Sequence, residues 1–237
     1  MPLVLHRDLR IFFAHIPKTG GSSMKDYLIA RFGPLSISDR PNRHAEPVDG
    51  LVIPPTHLSA RDLEELVPAE LTLSFCVVRD PLKRAMSEFR HQSGQSRMSR
   101  LGFSTWLHVM AAGARIERRL YDNHIRPQVE MIPEGSEIFR FEDGFDPIVA
   151  RLDEVTGESR PDLEVGHLLK RKKEPIEVSR EDMELIADFY AEDYARLGYE
   201  RPNLSDYPSA PISVFRKAFA AILARLLVAK QRWDWIT

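Results

Sequence analysis

The residues from Arg10 to Met24, RIFFAHIPKTGGSSM, narrow the folds open to this chain more than any other stretch. The apolar run Ile11 to Ala14 reads as a buried strand. The chain then passes through His15, Ile16 and Pro17 into Lys18-Thr19-Gly20-Gly21-Ser22-Ser23, and a helical pattern follows from Met24 to Phe32. Strand, glycine turn and helix N-terminus together form a cradle for an anion. Gly20 and Gly21 carry no Cβ, so the backbone can turn tightly and press its N–H groups against a phosphate. The unpaired N–H groups and positive dipole end of the helix favour negative charge. Ser22 and Ser23 can cap the helix or donate to phosphate oxygens, and Lys18 adds a mobile point charge. The lysine precedes the glycine pair, whereas a Walker A loop places it after the second glycine with a hydroxyl neighbour. An ordinary strand-to-helix turn remains the alternative.

A chain of 237 residues suits one α/β domain, or a core domain with a helical appendage. Its net charge of −2 excludes a general polyanion binder, so no nucleic-acid partner is expected and any anion site must arise from local charge. Cys76 is the one cysteine and lies in the run Leu73 to Val78; it cannot form an internal disulfide and reads as core. The opening MPLVLHRDLR has no signal-peptide core, and no apolar run is long enough to span a bilayer. A reducing, cytoplasmic compartment is expected.

Further along, Gly33-Pro34 ends the first helix and Leu35 to Asp49 reads as a loop. Gly50 to Ile53 is a short apolar strand, and Ser59 caps a helix to Leu66 with Asp62 at the capping-box position. His57 therefore lies where strand becomes helix, at the strand end where open α/β sheets bind ligands, or else serves as a surface or capping residue. Leu71 to Val78 has the unbroken apolar character of a central parallel strand. It ends in Arg79-Asp80-Pro81, and a helix runs from Leu82 to His91 with Ser87 upon it. Arg79 and Ser87 can reach one phosphate; alternatively Arg79 pairs with Asp80 or another carboxylate and Ser87 is a surface residue.

Gln92 to Gly102, with Arg97 and Arg100, reads as a basic loop. Phe103 to Ala112 is helical, and a second helical pattern runs from Arg115 into Tyr121-Asp122-Asn123-His124-Ile125-Arg126-Pro127-Gln128, a polar cluster of the kind that solvates a surface. Ser136 to Phe141 reads as a strand, and a helix from Asp146 to Val155 stops at Gly157. The run Lys170 to Lys173 reads as a solvated basic face on a loop. Ser179 caps an amphipathic helix through Leu197, closed by Gly198. The tail from Pro211 to Ile236 spaces Val214, Phe215, Phe219, Ile222, Leu223, Leu226 and Leu227 near helical periodicity among basic residues. Such a helix can pack on its own domain, the first expectation, or mediate a homodimer or a peripheral membrane contact.

HIPKTGGSS (His15 to Ser23), VVRDPLKRAMSEF (Val77 to Phe89) and YDNHIRPQ (Tyr121 to Gln128), in this order, resemble the carbohydrate O-sulfotransferases that use 3′-phosphoadenosine 5′-phosphosulfate (PAPS). The likeness is to the branch holding the heparan and chondroitin enzymes and their bacterial relatives, and it covers about Ile11 to Tyr199. The resemblance implies a P-loop-like three-layer α/β sandwich with a central, mostly parallel sheet. On that reading residues 1–207 form the sulfotransferase domain and residues 208–237 a helical extension. It implies that Lys18, Thr19, Gly20, Gly21, Ser22 and Ser23 hold the 5′-phosphosulfate, and that Arg79 and Ser87 bind the 3′-phosphate. His57 matches the catalytic base, while Lys170 to Lys173 fall where relatives place a loop over the nucleotide. Asn123, His124, Arg126 and Gln128 are the candidate acceptor contacts, for a hydroxyl of a glycan or glycolipid.

Sulfuryl transfer, like phosphoryl transfer, relies on in-line positioning and charge stabilisation. Lys18 would meet the charge growing on the departing adenosine 3′,5′-bisphosphate, and His57 would take the acceptor proton. The scheme requires no metal. Two other readings compete: a P-loop kinase or nucleotide hydrolase, which needs a Walker B aspartate where Arg79 stands, and a nucleotide-binding module without turnover.

Overall fold

The computed structural model describes residues 2–35, 57–64, 70–94, 101–166 and 175–234. The expected strand at Gly50 to Ile53, Arg97 and Arg100, and the basic run Lys170 to Lys173 lie outside these residues. Contacts divide the chain into two units, one from 1–79 and 130–172, the other from 80–129 and 173–237.

The first unit is built on a four-stranded sheet of order β1-β2-β3-β4: β1 Leu3–His6, β2 Leu9–Ala14, β3 Leu73–Val78 and β4 Glu137–Arg140. β1 pairs antiparallel with β2, and β2, β3 and β4 run parallel. This is the mostly parallel α/β sheet that the resemblance implies, with an antiparallel edge strand, β1, added. Ile11, Phe13, Leu73, Phe75 and Val77 bury one face in a cluster with Met24, Tyr27 and Leu28 of helix α1 (Gly21–Phe32) and Ile148 and Leu152 of helix α5 (Asp146–Thr156). Phe12, Ala14, Cys76 and Val78 on the alternate positions are fully buried too, which is why neither strand shows polar alternation. Burial raises the Cys76 thiol to about 12, so it is an inert core residue.

Local signals set the ends of the helices. In the short α2 (Ala60–Glu64), the Ser59 hydroxyl accepts the Asp62 N–H at 3.4 Å and the Asp62 carboxylate accepts the Ser59 N–H at 3.0 Å, the reciprocal box read from the sequence. α5 stops at Gly157, whose φ of 68° is left-handed. Arg31 near the end of α1 is buried, yet its guanidinium donates to Tyr27, Asp153, Thr156 and the Glu158 carbonyl. Its charge is thereby satisfied.

The second unit is helical among the described residues. It contains α3 (Pro81–Ser93), α4 (Phe103–Ile116), α6 (Arg180–Phe189), α7 (Ala191–Arg196) and α8 (Val214–Asp234). Asp80 caps α3 by accepting the Lys83 N–H at 2.8 Å, with Pro81 in the first turn. Ser179 and Asp182 form a capping box on α6. Trp106, Val109 and Met110 of α4 meet Met183 and Ile186 of α6 in the core, together with Ala220, Ala224 and Val228 of α8.

Three expectations are corrected. α1 starts at Gly21 with Gly20 as N-cap, so Ser22 and Ser23 are first-turn residues and not caps. Arg115 to Gln128 is not a second helix: α4 ends at Ile116, and Tyr121, Asp122 and Asn123 take φ of 49°, 52° and 66°, a left-handed run that no right-handed helix contains. The helix from Ser179 breaks at Tyr190 (φ −108°, ψ 29°) into α6 and α7. α8 packs on its own unit, the first expectation, through Ala220, Ala224 and Val228 together with the partly buried Leu223 and Leu227. A Cβ on Gly113 of α4 would meet Leu120 Cδ2 at 2.7 Å and stand at ordinary contact distance, 3.8 Å, from the Ala224 Cβ.

Candidate functional site

β2, β3 and β4 are parallel, so their carboxyl ends lie along one edge of the sheet. β2 runs out through His15 into the loop Lys18 to Gly20, and β3 runs out into Arg79. The register pairs Val78 with Arg140, which brings the next residues, Arg79 and Phe141, side by side. The Arg79 guanidinium lies over the Phe141 ring, 4.5 Å from its centroid. The same group donates from Nη1 to the Lys18 carbonyl at 3.2 Å. Arg79 therefore rests on an aromatic plane and is tied to the loop backbone, an arrangement that holds a cation in place at a strand end.

The loop itself is shaped by two left-handed residues, Lys18 at φ 67° and Gly20 at φ 89°. Between them Thr19 is buried and donates its hydroxyl to the Ile16 carbonyl at 2.9 Å. A Cβ on Gly20 would meet Phe145 Cζ at 2.7 Å and Phe141 Cε2 at 2.9 Å. α1 begins here with no side-chain cap on Gly20 and no acidic residue in its first turn. The donors and positive dipole of this helix start meet no competing carboxylate in that turn. This chemistry fits the anionic 5′-end of a nucleotide cofactor: backbone N–H groups, the Ser22 and Ser23 hydroxyls, and the Lys18 ammonium.

Sequence reasoning assigned no role to His15. A Cβ on Gly21 would fall 1.9 Å from both Cδ2 and Nε2 of the His15 ring, so that ring occupies the space a side chain would need. His15 is buried, stacks on Phe13 with centroids 5.7 Å apart, and meets His57 edge-on at 5.1 Å. His57 precedes the Ser59 cap of α2 by two residues and is half-buried. The structure thus joins His57, His15 and Gly21 in one contact chain on the first unit. A histidine closing the strand ahead of KTGG was the signal available.

The second unit carries the other motif residues. Ser87 is half-buried on α3. The turn Tyr121 to Gln128 is a framework and not a solvated surface. The Arg84 guanidinium donates to the His124 carbonyl at 3.0 Å. Glu88 accepts from Gln92 at 2.7 Å and lies 2.8 Å from His124 Nδ1. The carboxylate can only accept, so that nitrogen carries the proton and the imidazole is oriented. His91 stacks on the His124 ring at 5.8 Å. Asp193 is fully buried and accepts the Gln128 and Val129 N–H groups, both at 3.0 Å, and the Gln128 amide at 3.2 Å. Burial pushes its carboxyl up, and the charge of Arg84 and these hydrogen bonds oppose the rise. Asn123 and Gln128 are buried, and His124 and Arg126 are partly exposed.

No group of three or more His, Cys, Asp or Glu able to hold a metal occurs among the described residues. No helix among them is long and apolar enough to cross a membrane. A family model described as "Sulfotransferase family" matches residues 1–143, a span that contains all three motifs. No curated protein and no solved structure matches the chain.

Proposed function

The chain belongs to the sulfotransferase family, and from that premise we propose that it transfers the sulfuryl group of PAPS to a hydroxyl of a carbohydrate-type acceptor. The contact chain from His57 through His15 to Gly21 supports this reading, because the reaction needs a proton acceptor near the loop that would hold the anion. PAPS supplies the activated sulfuryl group. The loop from Lys18 to Ser23, read as a P-loop-like cradle, holds the 5′-end through backbone N–H groups and hydroxyls. Lys18 neutralises the charge that grows on the leaving phosphate oxygen in the transition state. Arg79, fixed on Phe141, and Ser87, assigned by the motif in which it stands, take the 3′-phosphate that distinguishes PAPS from ADP. His57 accepts the acceptor proton as the O–S bond forms. The residues require no metal for these steps.

His124, oriented by Glu88, and the partly exposed Arg126 are the acceptor contacts in this scheme, with Asn123 and Gln128 shaping the turn that presents them. A glycan or glycolipid hydroxyl is the acceptor class. The single, buried Cys76 is in keeping with a reducing, cytoplasmic setting.

His57→Ala tests the assignment. Its sulfation rate should fall by about 10²–10⁴-fold while adenosine 3′,5′-bisphosphate binds as before, read by radiolabelled sulfuryl transfer and by calorimetry. Loss of nucleotide affinity to the same degree would make His57 a binding residue and sink the base assignment.

A further inference from the structure

α8 carries two apolar faces, and the second unit covers one of them. At 3.6 residues per turn, the buried Ala220, Ala224 and Val228 define the packed face. Phe215, Phe219, Ile222, Leu226 and Trp233 fall within about 60° of one another on the opposite side. They are between 50% and 89% exposed. Leu223 and Leu227 pack partly against the core beside the small residues, while Phe215, Phe219 and Trp233 face out, the reverse of what core packing alone selects.

The borders of this outer stripe name its partner. The helix bears Arg216, Lys217, Arg225, Lys230 and Arg232 against one acid, Asp234, a local charge of +4 on a chain of net −2. Arg225 and Arg232 flank the stripe on one side, Lys230 and Arg216 on the other. Arg232 is partly engaged, lying 3.2 Å from Glu117, while Arg216, Arg225 and Lys230 are exposed. A second copy docked stripe to stripe through a two-fold axis would set most of these cations against their own kind, with Asp234 as the one acid of the helix to pair them. An anionic lipid surface satisfies both features, taking the aromatic and aliphatic side chains into the acyl boundary while the long cationic chains reach the phosphates.

We propose that α8 docks the protein in the plane of an anionic membrane surface, through Phe215, Phe219, Ile222, Leu226 and Trp233 and their basic borders. The helix lies on the interface and does not span it.

The test is co-sedimentation of the full chain with vesicles of phosphatidylcholine alone and of phosphatidylcholine mixed with phosphatidylserine, at low and high salt. Binding should require phosphatidylserine and weaken with salt. Arg225→Glu with Lys230→Glu should lower the partition coefficient by roughly a hundred-fold or more, each cation being worth about five-fold and each reversal counting more than once. Phe219→Asp with Ile222→Asp should abolish binding. Both pairs face solvent, so melting temperatures should match the parent and a folding defect would be visible separately. Failure to sediment with either vesicle overturns the proposal. So does equal, salt-insensitive binding to phosphatidylcholine alone. A dimer in sedimentation velocity that Phe219→Asp dissociates, without vesicle binding by the parent, assigns the stripe to a second copy instead.

Discussion

Gly21→Ala isolates the contact on which the candidate site turns. The added Cβ would fall 1.9 Å from Cδ2 and Nε2 of His15, a separation no carbon pair tolerates, so the imidazole must leave its place. It cannot do so freely, because it is buried, stacked on Phe13 and set against His57. Forcing extra volume into a packed site costs about 1–3 kcal/mol. The gain in helix propensity from Gly to Ala, at most about 1 kcal/mol and less at a first-turn position, offsets little of it. The double variant His15→Ala/Gly21→Ala discriminates, since the three atoms nearest the added methyl all belong to the His15 ring and leave with it. Urea denaturation of the four proteins should give a midpoint loss in Gly21→Ala at unchanged m. In the His15→Ala background Gly21→Ala should be neutral or slightly stabilising, a coupling of about 1–3 kcal/mol. Sulfation should fall in Gly21→Ala, because the displaced ring pushes on His57. Equal destabilisation of both backgrounds would show that the methyl meets something other than His15 and would refute the packing argument.

Two further outcomes follow from single contacts. Arg79→Ala removes the guanidinium from the Phe141 face and from the Lys18 carbonyl; a charged-group hydrogen bond is worth about 1.5–3 kcal/mol, so adenosine 3′,5′-bisphosphate affinity should drop by roughly 10–100-fold in calorimetry. An unchanged affinity would remove Arg79 from the site. Burial pushes the Glu117 carboxyl up, yet the Arg119 N–H and the cations Arg119 and Arg232 outweigh it, and the net shift is downward. A carboxyl depressed by folding stabilises above its unfolded pKa, and the contribution is lost as pH falls through the folded one. Thermal melts of the parent should therefore converge on those of Glu117→Gln as pH is lowered below the ordinary carboxylate range, and a gap independent of pH would contradict this.

The sequence made legible whatever local chemistry decides. Unbroken apolar runs marked β2 and β3, and Ser59 with Asp62 and Ser179 marked two helix starts. The loop Lys18 to Gly21 was visible because glycines answer a backbone demand. What long-range packing decides stayed hidden. His15 acquires its role from the carbon missing at Gly21, and Phe141 meets Arg79 only because β4 joins β3 in a register that no local signal specifies. Tyr121 to Asn123 hid best: three non-glycine residues in left-handed conformation, each costing about 1–3 kcal/mol, persist because the turn that follows is held by Arg84, Glu88 and Asp193. Polar residues there read as surface, yet Asn123 and Gln128 are buried. α8 was legible as amphipathic but not in its orientation, since Ala220, Ala224 and Val228 are buried while Phe215, Phe219 and Trp233 stay exposed.

The measurement that bears most directly on the proposed cofactor is calorimetric titration of the full chain with adenosine 3′,5′-bisphosphate and with ADP, with and without magnesium. The account predicts metal-independent binding that prefers the 3′-phosphate and is weakened by Arg79→Ala. Preference for ADP in the presence of magnesium would contradict it and favour a phosphoryl-transfer site.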